Sequence, residues 1–245
     1  MEYKGSKVYD TEEFFDRYMN RRHRPESPNT LIENPVLFDL LGDINGEHIL
    51  DLGCGDASLG LALLEKNCGF YTGVDGSANM CQKATQSLRG KNGEVIESSM
   101  EGFDFPPDSF DTVVSQLALH YIDDFASLAK QIYKTIKPNG RFVFSVQHPL
   151  LTASFKSMSE TGRRLDWVVD DYFKSGKRTE PWIGEHVVKY HRTIEDYFIQ
   201  LQQAGFQITD LKEAAPRREF FQDEEEYERR LRIPLFLLFS CRKSI

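Results

Sequence analysis

From His48 to Val146, short apolar runs alternate with amphipathic segments, and this alternation restricts the fold more than any other feature. Strands are expected at 48–52, 70–74, 93–97, 110–116 and 141–146, with helices at 57–66, at 78–88 and from Phe125 to Ile136. Such an order requires right-handed crossovers and a parallel sheet. Further on, Thr193 can cap a helix whose apolar face is Ile194, Tyr197, Phe198 and Leu201, with Gly205 ending it. Residues 206–211 then read as a strand, Glu224 to Arg232 as a charged helix, and Leu235 to Cys241 as a final strand. The connection between those two strands suits antiparallel pairing.

The expected architecture is α/β and Rossmann-like: a seven-stranded, mostly parallel sheet with helices on both faces and a C-terminal antiparallel strand. Ahead of it, Phe14, Phe15, Tyr18 and Met19, then Leu31, Val36, Leu37, Leu40 and Leu41, predict two helices within residues 1–45. Residues 150–190 hold Trp167, Tyr172, Phe173, Trp182 and several glycines without clear periodicity. That stretch reads as an irregular insertion near a binding site. A chain of 245 residues with 40% apolar content can bury one sizeable core, so residues 1–245 are read as a single domain.

A formal charge of -8 opposes a polyanionic partner, so nucleic acid is disfavoured. The one basic concentration, Arg21-Arg22-His23-Arg24, reads as a solvated loop. Cys54, Cys68, Cys81 and Cys241 have no Cys-x-x-Cys spacing and read as reduced core residues. The opening residues lack a basic start followed by an apolar run, and no long apolar stretch follows. A cytoplasmic protein with no membrane partner is expected.

The first strand runs into Asp51-Leu52-Gly53-Cys54-Gly55, placing glycines where backbone must turn tightly and approach a ligand closely. A dinucleotide fingerprint needs a third glycine where this chain has Ser58, and Gly60 comes two residues late. Pyrophosphate is therefore a poor fit. Asp51 instead suits a ligand with an ammonium group, as in a methionine-like moiety. The second strand ends in Asp75, whose carboxylate can accept both hydroxyls of a ribose, and Met80 one turn later can pack on adenine. Each has a plainer reading, as a solvated strand end and a core methionine.

Together with Phe105-Pro106-Pro107-Asp108-Ser109-Phe110-Asp111, these residues closely resemble class I S-adenosylmethionine-dependent methyltransferases, in the small-molecule group called methyltransferase type 11. The likeness spans nearly the whole chain. It implies S-adenosylmethionine as cofactor, S-adenosylhomocysteine as product, and cofactor contacts at Asp51, Gly53, Gly55, Asp75, Gly76 and Met80. It also implies an adenine edge at Ser99, Met100 and Glu101, with Ser99 replacing the Asp usual there, and a cofactor wall at Gln116 and Leu117. The Lys137-Pro138-Asn139-Gly140 turn is a structural signature of the group. The resemblance further makes residues 1–45 a lid, with Tyr18, Arg21 and Asn29 facing the site.

Methyl transfer is an in-line displacement that rewards positioning of the acceptor and, for some acceptors, removal of its proton. His120, His148 and His191 are candidate bases at the carboxyl edge of the sheet, and each also reads as a hydrogen-bonded structural residue. Trp167, Tyr172, Trp182, Tyr190 and Arg192 complete the expected acceptor pocket. An oxygen or nitrogen of a small molecule, preferably aromatic or heteroaromatic, is the expected acceptor. His186 and His191 are spaced against a metal pair, so no metal is expected. Three rivals stand beside this reading. Tyr133 and Lys137 have the spacing of a short-chain dehydrogenase relay, but Tyr133 continues an apolar helix face and Lys137 opens a turn. RNA or protein methylation, and a non-catalytic cofactor-binding partner, are the others.

Overall fold

The computed structural model describes residues 2–24, 26–157 and 166–244. Its first part comprises β1 (Glu2–Lys4), α1 (Glu12–Arg22), α2 (Asn34–Leu41), β2 (His48–Leu52), α3 (Ser58–Glu65) and β3 (Phe70–Asp75). There follow α4 (Ala78–Ser87), β4 (Gly93–Glu97), β5 (Phe110–Gln116), α5 (Phe125–Thr135), β6 (Ile136–Gln147) and α6 (Pro149–Thr152). The last elements are β7 (Gly176–Trp182), β8 (Glu185–His191), α7 (Ile194–Gln203), β9 (Gln207–Lys212), α8 (Glu224–Leu231) and β10 (Phe236–Arg242).

The main sheet has seven strands in the order β4-β3-β2-β5-β6-β10-β9. Strands β2 to β6 pair in parallel, and β10 runs antiparallel to both β6 and β9. Neighbouring residues of one strand enter opposite cores, as the pleat demands. Leu50, Val113, Phe142 and Leu237 pack with α5 and α7 residues such as Leu128, Ile132, Tyr197 and Leu201. Ile49, Val114, Val143 and Leu238 pack with Leu37, Leu41 and Leu63 on the α2 and α3 side. The helix at 194–203 has a full capping box, with Thr193 accepting from Asp196 N–H and Asp196 accepting from Thr193 N–H. Because the chain returns from β4 to the far side of β2, the carboxyl ends of β2 and β5 diverge into a crevice, the ligand site of open α/β sheets.

Within the stretch 150–190, expected to be irregular, residues 158–165 lie outside the described residues, and the part from Gly176 onward departs from that reading. Strands β7 and β8 form an antiparallel hairpin with Trp182 opposite Glu185, and β1 adds in parallel to β8 as a third strand. The two-residue turn Ile183-Gly184 has φ of 51° and 86°, the positive values that match hairpin twist. Pro181 is tolerated because β7 is an edge strand. Charged residues interleaved through 185–191 hide the apolar pair Val187-Val188, both fully buried. The N-terminal region also holds more than two helices: a 3-10 turn at Gly5–Asp10 precedes α1, and a π-helical turn at Asn29–Glu33 leads into α2.

Gly60 links packing to the site. A Cβ there would lie 2.4 Å from Cζ of Tyr71, a fully buried ring whose hydroxyl donates to Asp51 at 2.7 Å. Helix propensity favours Gly60→Ala by about 1 kcal/mol, and overpacking opposes it by about 1–3 kcal/mol. The expected result is net destabilisation in chemical denaturation, and an unchanged or raised midpoint would contradict this packing.

Candidate active site

At the end of β2 the chain turns through Gly53 (φ 79°) and Gly55 (φ 56°). The N–H groups of Gly53 and Cys54 both donate to the carbonyl of Val74, at 2.8 and 3.0 Å. A Cβ on Gly53 would sit 2.4 Å from Cβ of Ala118 and 2.8 Å from Cε of Met100, so only glycine fits. Gly55 N–H donates to one oxygen of Asp75 at 2.9 Å, and Ser77 N–H donates to the other at 2.9 Å. Beside the turn, burial pushes the Asp51 carboxyl up to about 7. Its Oδ2 accepts from Tyr71, while Oδ1 is buried without a partner among the described residues. Such an atom calls for a donor or a cation from a ligand.

The turn opens into a cavity of about 1830 Å³, lined here by Asp51, Gly53, Gly55, Asp75, Gly76 and Met80. Ser99, Met100, Glu101, Gln116 and Leu117 also line it. The Ser99 hydroxyl accepts from Gly102 N–H at 3.1 Å and so closes its own turn. Leu117 holds a left-handed φ of 53°, a strained conformation for a branched residue, with its N–H donating to Ser145.

The N-terminal segment spans this cavity and is fastened at two places. At one, Ser77 Oγ donates to Asp10 at 2.6 Å, Asn79 Nδ2 to the Tyr9 carbonyl at 3.1 Å, and Lys7 to the Gly76 carbonyl at 3.3 Å. At the other, Arg22 donates to Gln116 Oε1 at 3.1 Å and His23 pairs with Asp56 at 2.8 Å. Gln116 Nε2 in turn donates to Asn34 at 2.6 Å. Asn29 donates to Glu33 at 3.0 Å, and Ser145 Oγ also donates to that fully buried carboxylate. Arg21, expected to face the site, lines the cavity, as does its neighbour Arg22, which donates to Gln116.

Across the cavity stands an aromatic wall. Tyr9, Tyr18 and Trp182 meet edge to face, with centroids 4.8 Å apart for Tyr9–Tyr18 and 5.6 Å for Tyr18–Trp182. The Tyr9 and Tyr121 hydroxyls lie 3.4 Å apart. His120 lines the same wall, its Nδ1 accepting from Gln147 N–H at 3.5 Å, and burial beside Lys189 and Arg192 holds its imidazole well below the usual range. Trp167 and Tyr190 line the cavity too.

A methyltransferase-domain family profile matches residues 50–144. A solved structure from Mesorhizobium loti, an S-adenosylmethionine-dependent methyltransferase, is 31% identical with a TM-score of 0.80, covering 89% of this chain and 98% of that one. A Listeria monocytogenes structure provisionally assigned to the same activity is 36% identical with a TM-score of 0.79, covering 87% of this chain and 97% of that one. The chain belongs to the S-adenosylmethionine-dependent methyltransferases. Among curated relatives, a demethylmenaquinone methyltransferase of Lactococcus lactis is 27% identical over 174 residues, 68% of each chain.

S-adenosylmethionine is the methyl donor of this methyltransferase. The orphan Asp51 Oδ1 fits a cationic group, and beyond Gly55 the space is open until Met80 Sδ at 4.0 Å. Four of the residues expected at the site lie elsewhere. His148 caps α6 by accepting from Leu150 N–H at 3.2 Å and pairs with Glu213 at 3.0 Å. His191 is held between Thr152 Oγ1 at 2.7 Å and the Tyr172 carbonyl at 2.8 Å. Both imidazoles have both nitrogens engaged, and neither lines the cavity. The Tyr172 hydroxyl accepts from Ile194 N–H at 3.4 Å, and Arg192 donates to the carbonyls of Ile122 and Asp123. Sequence reading missed Tyr9, Arg22, Asp56 and the buried Lys189–Glu180 pair. The Asp56 position, next to Gly55 at the start of α3, was the one signal available.

Burial raises the Glu33 carboxyl from 4.5 to about 7, against the pull of Ser145 and Arg22. A carboxyl raised by folding costs stability as pH climbs from the unfolded value to the folded one. Glu33→Gln is therefore expected to gain stability relative to wild type between pH 4.5 and about 7, with no further change above. Urea denaturation of both proteins across that range checks it, and a pH-independent difference would contradict it.

Proposed function

We propose that this methyltransferase methylates an oxygen or nitrogen of a small, planar acceptor. The aromatic wall of Tyr9, Tyr18 and Trp182, facing the glycine turn within one cavity, carries the reading. Flat rings stack and meet edge to face with such side chains. Likeness to a demethylmenaquinone methyltransferase supports an acceptor with a ring. The net charge of -8 speaks against RNA.

In this proposal Asp51 Oδ1 receives the cofactor ammonium, and the backbone at Gly53 and Gly55 gives it room. Asp75 and Gly76 hold the ribose, Met80 and Met100 flank the adenine, and Ser99 with Glu101 borders its edge. Gln116 and Leu117 close the inner side. The bound cofactor supplies an electrophilic methyl on a sulfonium, and the lid keeps water from it. Gln147 N–H at His120 Nδ1 leaves the imidazole proton on Nε2, so His120 acts as a neutral hydrogen-bond donor. Four buried, unpaired cysteines favour a reducing, cytoplasmic setting. Among the described residues no helix is long and apolar enough to cross a membrane.

S-adenosylmethionine with a labelled methyl, incubated with the protein and cell extract, is expected to label the low-molecular-weight fraction. Label confined to RNA or protein would overturn the proposed acceptor class.

A further inference from the structure

Lys189 projects from β8 into the cavity wall although it is only 5% exposed. Its ammonium lies 5.0 Å from the Trp182 ring centroid and 5.6 Å from that of Tyr121, and it donates to Gln147 Oε1 at 2.9 Å. Glu180, 4% exposed, is its ionic partner on β7. The register sets Arg178 opposite Lys189 and Val187 opposite Glu180, so both charges stand on one face of the hairpin. As a mere staple this pair is poor, because two desolvated charges return little net stability over apolar residues.

Gln147 joins this cation to the cofactor end of the cavity. Its side chain accepts from Lys189, and its backbone N–H donates to His120. His120 lies two residues beyond Ala118, the residue against Gly53. Burial, and after it the cations Lys189 and Arg192, keep the His120 imidazole neutral, so it faces the cavity as an uncharged ring. Glu180 offsets the Lys189 charge, so what the pocket offers is two adjacent donors, the ammonium and the imidazole N–H, and charge-assisted donation of this kind favours an oxygen that carries negative charge.

We propose that the acceptor is an acidic hydroxyl compound, a phenol or enol, bound as its oxyanion beside Lys189 and His120. This rests on the small-molecule methyltransferase reading and narrows it to O-methylation. The hydroxyl proton leaves to solvent when the acceptor binds, so no protein base is needed. The oxyanion lone pair then forms the O–C bond while the C–S bond breaks, and that electron pair stays on sulfur as the neutral thioether. Lys189 remains protonated throughout, and Glu180 and Gln147 hold it in place.

The test uses protein loaded with S-adenosylhomocysteine and 4-nitrophenol as probe, because its phenolate absorbs visible light and its phenol does not. The bound probe is expected to ionise at a pH at least about one unit below the free probe. Lys189→Met should abolish that shift and Lys189→Arg should keep it, while 4-nitroanisole, which cannot ionise, should bind more weakly. If Lys189→Met fails to fold, the double variant Lys189→Met, Glu180→Gln removes both charges and serves in its place. An unshifted or raised ionisation in wild type, no saturable binding of 4-nitrophenol, or an equal shift without Lys189 would overturn the proposal. Failure to bind S-adenosylhomocysteine in calorimetry would instead overturn the cofactor reading beneath it.

Discussion

The Asp75 carboxylate joins the ends of β2 and β3 by accepting one N–H from Gly55 and one from Ser77. Charge-assisted bonds of this type are about twice as strong as neutral ones. They hold the glycine turn against the second βα turn, where Ser77 also caps α4 through Met80 N–H. The same Ser77 donates to Asp10, so the N-terminal segment docks on the unit that Asp75 organises. Without that carboxylate, the turn, the start of α4 and one fastening of the N-terminal segment would lose their common anchor.

From that anchor the glycine turn and the aromatic wall become one structure, two sides of the same cavity. The segment that grips the Ser77 turn continues back into β1, which pairs with β8, and β8 carries Lys189. Forward in the chain it supplies Tyr9 and Tyr18 to the aromatic wall, then Arg22 and His23 to Gln116 and Asp56. Any movement of this segment therefore touches both sides of the cavity at once. The cost of the arrangement lies in buried carboxyls, Asp51 and Glu33, whose ionisation is displaced to about 7.

Much of the main sheet was legible, because its inner strands are buried on both faces and the parallel ones are separated by amphipathic helices of ordinary length. The terminal antiparallel strand followed from its connection, and the capped helix from Thr193 and Gly205. The small sheet was hidden for a physical reason. Strand β8 sets the adjacent pair Val187-Val188 among charged and polar residues without alternation, and its partner β1 lies far away in sequence, so no local pattern announces the pairing. The three histidines look alike in sequence because what distinguishes them, Glu213, Thr152, Tyr172 or the cavity, is supplied by distant segments. Nothing local in the sequence singles out Lys189 or Glu180, which the hairpin buries as a pair. Arg21 and Arg22 differ by one helical step of about 100°, which a loop reading cannot resolve.

The central claim is that the Asp75-anchored glycine turn is built for S-adenosylmethionine rather than for a dinucleotide. Isothermal titration calorimetry of the wild type and of Asp75→Asn, with S-adenosylmethionine and with NAD, tests it most directly. Saturable binding of S-adenosylmethionine, at least about tenfold weaker in the variant, with no binding of NAD, is the predicted result. Equal binding of NAD, or an affinity for S-adenosylmethionine indifferent to Asp75, would contradict it.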